Sequence, residues 1–209
     1  FFIPYVVIHL LYKWNFWLGF ALETFWCGQL LATKSLKVES MKVYDRLKNG
    51  TIEEARYAVS MIVGRDTQAL SEIGVTKAAV ETVAENSSDG IIAPMYYIPA
   101  RISGWLMALS TVFVGMDTKN AVKIYRRDRR NHASPNSAQT EAAMAGALDV
   151  QLAGNAYYFG KLYEKPTIGD PIRPVEIEDI PRANKLLYAT CIVGAILFFG
   201  LSVLLKTVL

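Results

Sequence analysis

A chain of 209 residues that is 52% hydrophobic and carries a net charge of only +3 is long enough for one domain with a sizeable core, yet greasier than an ordinary water-soluble domain. The composition reads as that of a membrane protein, while the modest, unevenly placed charge argues against a nucleic-acid binder and against an acidic scaffold. Cys27 and Cys191 each lie inside an apolar run, which speaks for buried thiols and against a disulfide framework or a zinc site.

In chain order, Phe1 to Leu11 is an apolar stub closed by Lys13. It has no initiator methionine and no basic n-region, so a preceding segment is expected and no signal peptide is visible. Trp14 to Thr33 predicts a second apolar helix of about spanning length, interrupted by Glu23 and Gln29, with Trp14, Trp17 and Trp26 as interface or packing aromatics. Glu23 reads equally as an intramembrane functional carboxylate and as one facing protein or a water-filled cleft. Lys34, Lys37 and Lys42 then place this end in the cytoplasm by the positive-inside rule.

From Ser35 to Asp89 the pattern is that of helices outside a bilayer. Thr51 to Glu54 matches a capping box, and Ala55, Ala58, Val59, Ile62 and Val63 follow at helical spacing, predicting an amphipathic helix that ends at Gly64. Arg65-Asp66 comes next, on a turn, where an arginine clamps phosphate or simply pairs with its neighbour.

The stretch Thr76 to Pro94, TKAAVETVAENSSDGIIAP, organises the chain. As a helix it sets Glu81, Glu85 and Asp89 at successive i, i+4 positions on one face, until Asp89-Gly90 ends the run. Stacked carboxylates repel by a few tenths of a kcal/mol per exposed pair, which a bound cation or a facing basic group removes. With the amide of Asn86 these hard oxygen ligands suit Mg²⁺; the plainer reading is a solvated face with Lys77 pairing to Glu81.

Ile91 to Met116 is apolar again and sets a parity conflict. The next loop carries Lys119, Lys123, Arg126, Arg127, Arg129 and Arg130 and belongs inside, so an even number of crossings is needed where Pro94, Pro99 and Arg101 leave room for only one. A re-entrant hairpin or absent residues resolve it. The block Asp117 to Val150 then sets six cations against Asp117 and Asp128, fitting a phosphate-rich ligand or anionic headgroups. Ser134 as a cap with Pro135 at the first helical position leaves free backbone N–H groups beside those cations. Glu141 lies in the second turn, and Ala142, Ala143, Ala145, Gly146 and Ala147 form a small-residue face that permits close helix contact. His132 reads as an acid–base group or as an ordinary hydrogen-bonding loop residue. After Gly154 the turn signals predict an irregular loop, and Leu186 to Leu205, twenty residues without a charge, predicts a transmembrane helix.

The phrases SMIVGRDT (Ser60 to Thr67), ETVAENSSDGIIAP (Glu81 to Pro94), RNHASPNSAQTEAAMAGAL (Arg130 to Leu148) and PTIGDP (Pro166 to Pro171) resemble the cobalamin-biosynthesis membrane synthetase, adenosylcobinamide-phosphate synthase. The resemblance covers nearly the whole chain, with the motifs in the family's order. It implies a multi-spanning inner-membrane enzyme that uses ATP and Mg²⁺ to join adenosylcobyric acid to aminopropanol or its phosphate through an amide bond. The family's N-terminal helix with its Gly-Asp-Pro and His-Pro motif is absent before Phe1, as are several tens of residues between about Met95 and Pro99.

The resulting expectation is an all-α, polytopic membrane helical bundle with amphipathic cytoplasmic helices, a single domain over residues 1–209, in the cell inner membrane with its active site facing the cytoplasm. Glu81, Glu85, Asn86 and Asp89 are the candidate Mg²⁺ ligands. Arg65, Arg126, Arg127, Arg129 and Arg130, with Asn131, Ser134, Asn136 and Ser137 of the same stretch, are the candidate contacts to ATP. Glu85, Glu141 and His132 are the candidate catalytic groups. Membrane lipid is an expected partner, nucleic acid is not, and a second copy or other corrinoid-pathway enzymes stay open. A signalling or scaffold protein on the same fold, and a corrinoid or lipid carrier without turnover, are the rival readings.

Overall fold

The computed structural model describes residues 2–30, 33–88, 100–132, 134 and 136–208. Helices α1 (Phe2–Trp14), α2 (Phe16–Leu30), α3 (Thr33–Asn49), α4 (Ile52–Ser60), α5 (Glu72–Asn86), α6 (Ala100–Val114), α7 (Thr118–Asp128) and α8 (Ser137–Leu148) lead into a short strand region, and α9 (Asp179–Val208) closes the chain. The capping box of α4 is present, with the Glu54 N–H on Thr51 Oγ1 at 3.3 Å and the Thr51 N–H on Glu54 Oε2 at 3.1 Å. The apolar face of α4 buries Ala55 and Val59 and seats Ala58, Ile62 and Val63 against the same core.

Helix α8 is the post around which the core is built. All twelve of its residues are buried. Its small side chains allow this, since a helix apolar on every side is stable only when other elements cover it. Gly146 lets α7 come so close that a Cβ there would sit 2.6 Å from the Asn120 carbonyl oxygen, and Gly104 on α6 faces Tyr125 and the Gln139 backbone at similarly short range. The expected small-residue face is therefore used, on more sides than the sequence suggested. Asn120 seals the seam by donating to the Gly146 carbonyl at 3.1 Å and to Asp149 at 2.7 Å.

The segment after α8 is not the irregular loop that its turn residues predicted. Strand β1 (Leu152–Ala153) pairs antiparallel with β4 (Thr167–Ile168), and β2 (Ala156–Tyr158) forms a hairpin with β3 (Lys161–Tyr163) inside that pair. The hairpin turns on Phe159 and Gly160, both at positive φ, as a two-residue turn that follows strand twist requires. These ladders are too short to show a period of two in the sequence.

The membrane-spanning expectation is corrected. Among the described residues no helix is long and apolar enough to cross a membrane. The apolar stub and the predicted second span, Trp14 to Thr33, are separated at Asn15, whose side chain accepts from the Trp17 N–H at 2.9 Å and the Leu18 N–H at 3.3 Å, a cap that starts a new helix. As described, α1 and α2, of 13 and 15 residues, reach roughly 20 and 22 Å against about 30 Å of hydrocarbon. The run from Leu186 begins inside the protein: Ile180, Ala183, Leu186, Leu187 and Thr190 of α9 are buried in the core, so its first turns are covered by protein side chains. The polytopic bundle and the multi-pass inner-membrane placement rested on those spans and fall with them. The expected break between Met95 and Pro99 lies outside the described residues, as do Asp89 and Pro135.

Candidate functional site

Helices α5 and α8 pack with two residues of each, spaced by one turn, facing one another. Ser137 Oγ at the start of α8 donates to Glu85 Oε1 at 2.6 Å, and one turn further along, Glu141 lies within electrostatic reach of Glu81. The pairing runs in opposite directions along the two helices, so they cross antiparallel. As far as it is described, the acidic stripe is thus no solvated face: Glu81 is 3% exposed, Glu85 is half-buried, and Glu141 on the facing helix is 4% exposed. Nor does Lys77 hold Glu81. That carboxylate is gripped by the Arg65 guanidinium on one oxygen and accepts the Ala153 N–H on the other at 2.6 Å. Ala153 adopts φ 57, a left-handed conformation that costs an alanine about 1–2 kcal/mol, and its N–H goes to this carboxylate.

Arg65 and Asp66 do not pair with each other. Arg65 turns inward to Glu81, while Asp66 turns outward and accepts the Phe159 and Gly160 N–H groups at 3.2 and 2.7 Å, holding the hairpin tip. The strand region is tied down beside the acidic pair by adjacent side chains of one turn.

Glu141 differs from Glu81 and Glu85 in having a buried oxygen, Oε2, with no hydrogen-bond partner among the described residues. Burial raises its pKa well above the usual carboxylate value, and the charges of Glu81 and then Glu85 add to this, against the pull of Arg65 and Lys165. Burial likewise lowers the pKa of Lys77, with Arg65 adding to that effect and Glu81 and Glu141 opposing it. A carboxylate whose proton affinity is raised and an amine whose proton affinity is lowered, on facing helices, make an environment suited to moving protons.

The arginine block is divided by the fold. Arg126 stacks over the Trp105 ring at 5.2 Å. Arg127 is consumed by Asp128, in two bonds of 2.7 and 2.8 Å, and by Asp170 at 2.7 Å, while Asp128 also accepts the Gly169 N–H at 2.8 Å. The Asn131 amide donates to Asp128 at 3.5 Å. Arg129, Arg130, His132 and Asn136 instead line a cavity of about 480 Å³ at the start of α8, with Arg101 of α6. His132 Nδ1 accepts the Ser134 N–H at 3.0 Å; α8 begins at Ser137 rather than after Ser134, whose hydroxyl meets the Ser137 N–H at 3.5 Å. Asn86 is turned back on its own helix, donating to the Thr82 carbonyl at 2.9 Å. Among the described residues no group of three or more acidic, histidine or cysteine side chains is placed to hold a metal ion.

Sequence reasoning did not pick out Arg101, Lys165 or Ala153. Arg101 left a trace, as a lone cation after Pro99 in an otherwise apolar run; the backbone N–H of Ala153 left none.

A helical protein that keeps a buried acid–base cluster on two facing helices, with a basic cavity at the end of one of them, is equipped to bind a charged ligand. The chain belongs to the CobD/Cbib protein family, whose pattern matches residues 1–98 and 95–187. It is 39% identical over 244 residues to the Cobalamin biosynthesis protein CobD of Clostridium perfringens, covering 95% of this chain and 76% of the relative. It is 40% identical over 235 residues to the protein of the same name from Streptococcus sanguinis, covering 91% and 72%, and 34% identical over 229 residues to that of Yersinia enterocolitica, covering 88% and 72%. No solved structure matches the chain.

Proposed function

We propose that this chain, a member of a cobalamin-biosynthesis family, is an ATP-dependent ligase that joins adenosylcobyric acid to aminopropanol or its O-phosphate through an amide bond. A carboxylate is a poor acylating agent, so the γ-phosphoryl group of ATP is transferred to it first and ADP leaves. The amine then attacks the acyl phosphate, inorganic phosphate departs, and the nitrogen gives up a proton. The observation that carries the reading is the buried, unpartnered Glu141 oxygen beside Glu81 and Glu85. It is a proton acceptor one turn beyond the Ser137 end of α8, where the arginines gather, about 7.5 Å along the axis from Asn136 to Glu141.

In this reading Glu141 takes the amine proton. Arg65 and Ala153 fix Glu81 and so keep its charge beside Glu141. Glu85 orients the first turn of α8 through Ser137. The described residues form no protein-only Mg²⁺ cage, and Glu81 is fully committed. A Mg²⁺ ion held by the nucleotide's phosphates, with the half-buried Glu85 as the nearest open carboxylate of the stripe, would supply charge neutralisation. The test is ATP consumption by purified protein with adenosylcobyric acid, with and without the amine. Amine-dependent amide formation coupled to ADP release supports a ligase, whereas binding of the corrinoid without nucleotide consumption leaves the carrier.

A further inference from the structure

The cavity at the start of α8 has a feature that a merely structural basic patch lacks: its arginines are positioned by buried polar side chains yet, among the described residues, no carboxylate pairs with them. Tyr125, fully buried, donates its hydroxyl to the Arg101 carbonyl at 2.8 Å and lies under the Arg129 guanidinium at 5.7 Å. Gln139 donates to the Arg129 carbonyl at 2.9 Å. Two elements distant in sequence, the first turn of α6 and the turn after α7, thereby bring Arg101, Arg129 and Arg130 to one cavity with His132 and Asn136. Among the described residues none of these three arginines makes an ion pair, whereas their neighbour Arg127 makes two. Three guanidinium groups around one space repel each other unless an anion lies between them, and their planar forks match phosphate oxygens.

We propose that this cavity is a phosphate site and that Arg101, from outside the arginine-rich block, is one of its clamping residues. The proposal deepens the ligase reading and rests on it for the source of the phosphate, which is either the polyphosphate tail of a nucleotide or the phosphate ester of the acceptor amine. The binding claim itself does not need turnover.

The test titrates inorganic tripolyphosphate into the full chain by calorimetry, with ATP and aminopropanol phosphate as competitors. Wild type is expected to bind tripolyphosphate more weakly as salt rises, and Arg101→Gln to weaken it roughly tenfold or more, the scale of one charge-assisted contact. Lys161→Gln, which removes an exposed charge on the hairpin, should change it less than about twofold. A melting curve for each variant separates lost binding from lost folding. Displacement by ATP assigns the cavity to the nucleotide, and displacement by aminopropanol phosphate assigns it to the acceptor. Displacement by neither, equal binding by Arg101→Gln, or equal weakening by Lys161→Gln overturns the proposal. If tripolyphosphate binds as expected while amide formation is absent, the ligase reading fails and the phosphate site stands; the reverse result removes the site and leaves the ligase.

Discussion

Glu141 and Asp179 are both buried carboxyl groups, 4% and 0% exposed, and the fold treats them in opposite ways. Asp179, at the start of α9, is saturated: Arg173 donates twice, at 2.9 and 2.5 Å, Arg182 at 2.8 Å and the Glu176 N–H at 2.9 Å. Burial alone would raise its pKa, but the bonds from Arg173, Glu176 and Arg182 outweigh that and hold it below the usual value. Glu141 is under-satisfied, faces like charge, and is raised. A buried charge that is fully bonded fixes structure; one left short of partners is kept at a cost to stability, and such groups gather where chemistry is done.

The largest expected effect tests the Asp179 side. Asp179→Ala removes a buried carboxylate together with its bonds to the partly exposed Arg173 and Arg182 and to the Glu176 N–H, and should cost about 1–3 kcal/mol, seen as a fall in melting temperature on the order of 5 °C for a chain of this size. Activity per folded molecule should be unchanged. Glu141→Gln should do the converse, lowering amide formation by roughly 100-fold or more with no loss of melting temperature. A variant that is active, or one that merely unfolds, would erase the contrast.

The pH dependence of stability sharpens it next. Glu141, raised in the folded state, stabilises below its ordinary value of 4.5, and that contribution is lost as pH rises through the folded value. Asp179, lowered, stabilises above its ordinary 3.8, and its contribution is lost as pH falls below that value. Denaturant melts from pH 3 to 8 should therefore show the upper slope vanish in Glu141→Gln and the lower slope diminish in Asp179→Asn. The smallest effect is a control on a local device away from both: Thr51→Ala should cost about 1 kcal/mol by removing the α4 cap, without touching activity.

What the sequence disclosed follows the range of the interaction concerned. The α4 capping box is settled within four residues and was legible, as was the small-residue face of α8. The acidic stripe was legible as a face, but spacing says nothing about what a face meets. Its burial under β1 depends on Ala153, 72 residues away from Glu81. The arginine block read as a single charge cluster because sequence counts cations without their partners. Asp170 and Trp105, contributed by other elements, remove Arg127 and Arg126 from it. Hydropathy failed for the same reason at Leu186, since an apolar run looks alike whether lipid or protein covers it. At Asn15 the signal was local and available: an Asn before an apolar run is a helix start.

The complete burial of α8 also sets where motion is permitted. A helix with no exposed residue has no way to fray by itself, so its amide hydrogens should exchange with solvent only when the whole domain opens, the slowest class of exchange in the molecule. The β2–β3 hairpin, held at its tip through Asp66 and carrying Phe159 at 93% exposure, belongs to the fast class. Ser137 and Glu141 are thus mounted on the element that moves last, and β1 and β4 join it through the buried Leu152 and Ile168, while the hairpin between them moves early. Hydrogen exchange should accordingly find a clock-like difference within the strand region itself, slow at the Ala153 N–H that Glu81 accepts and fast at the hairpin tip.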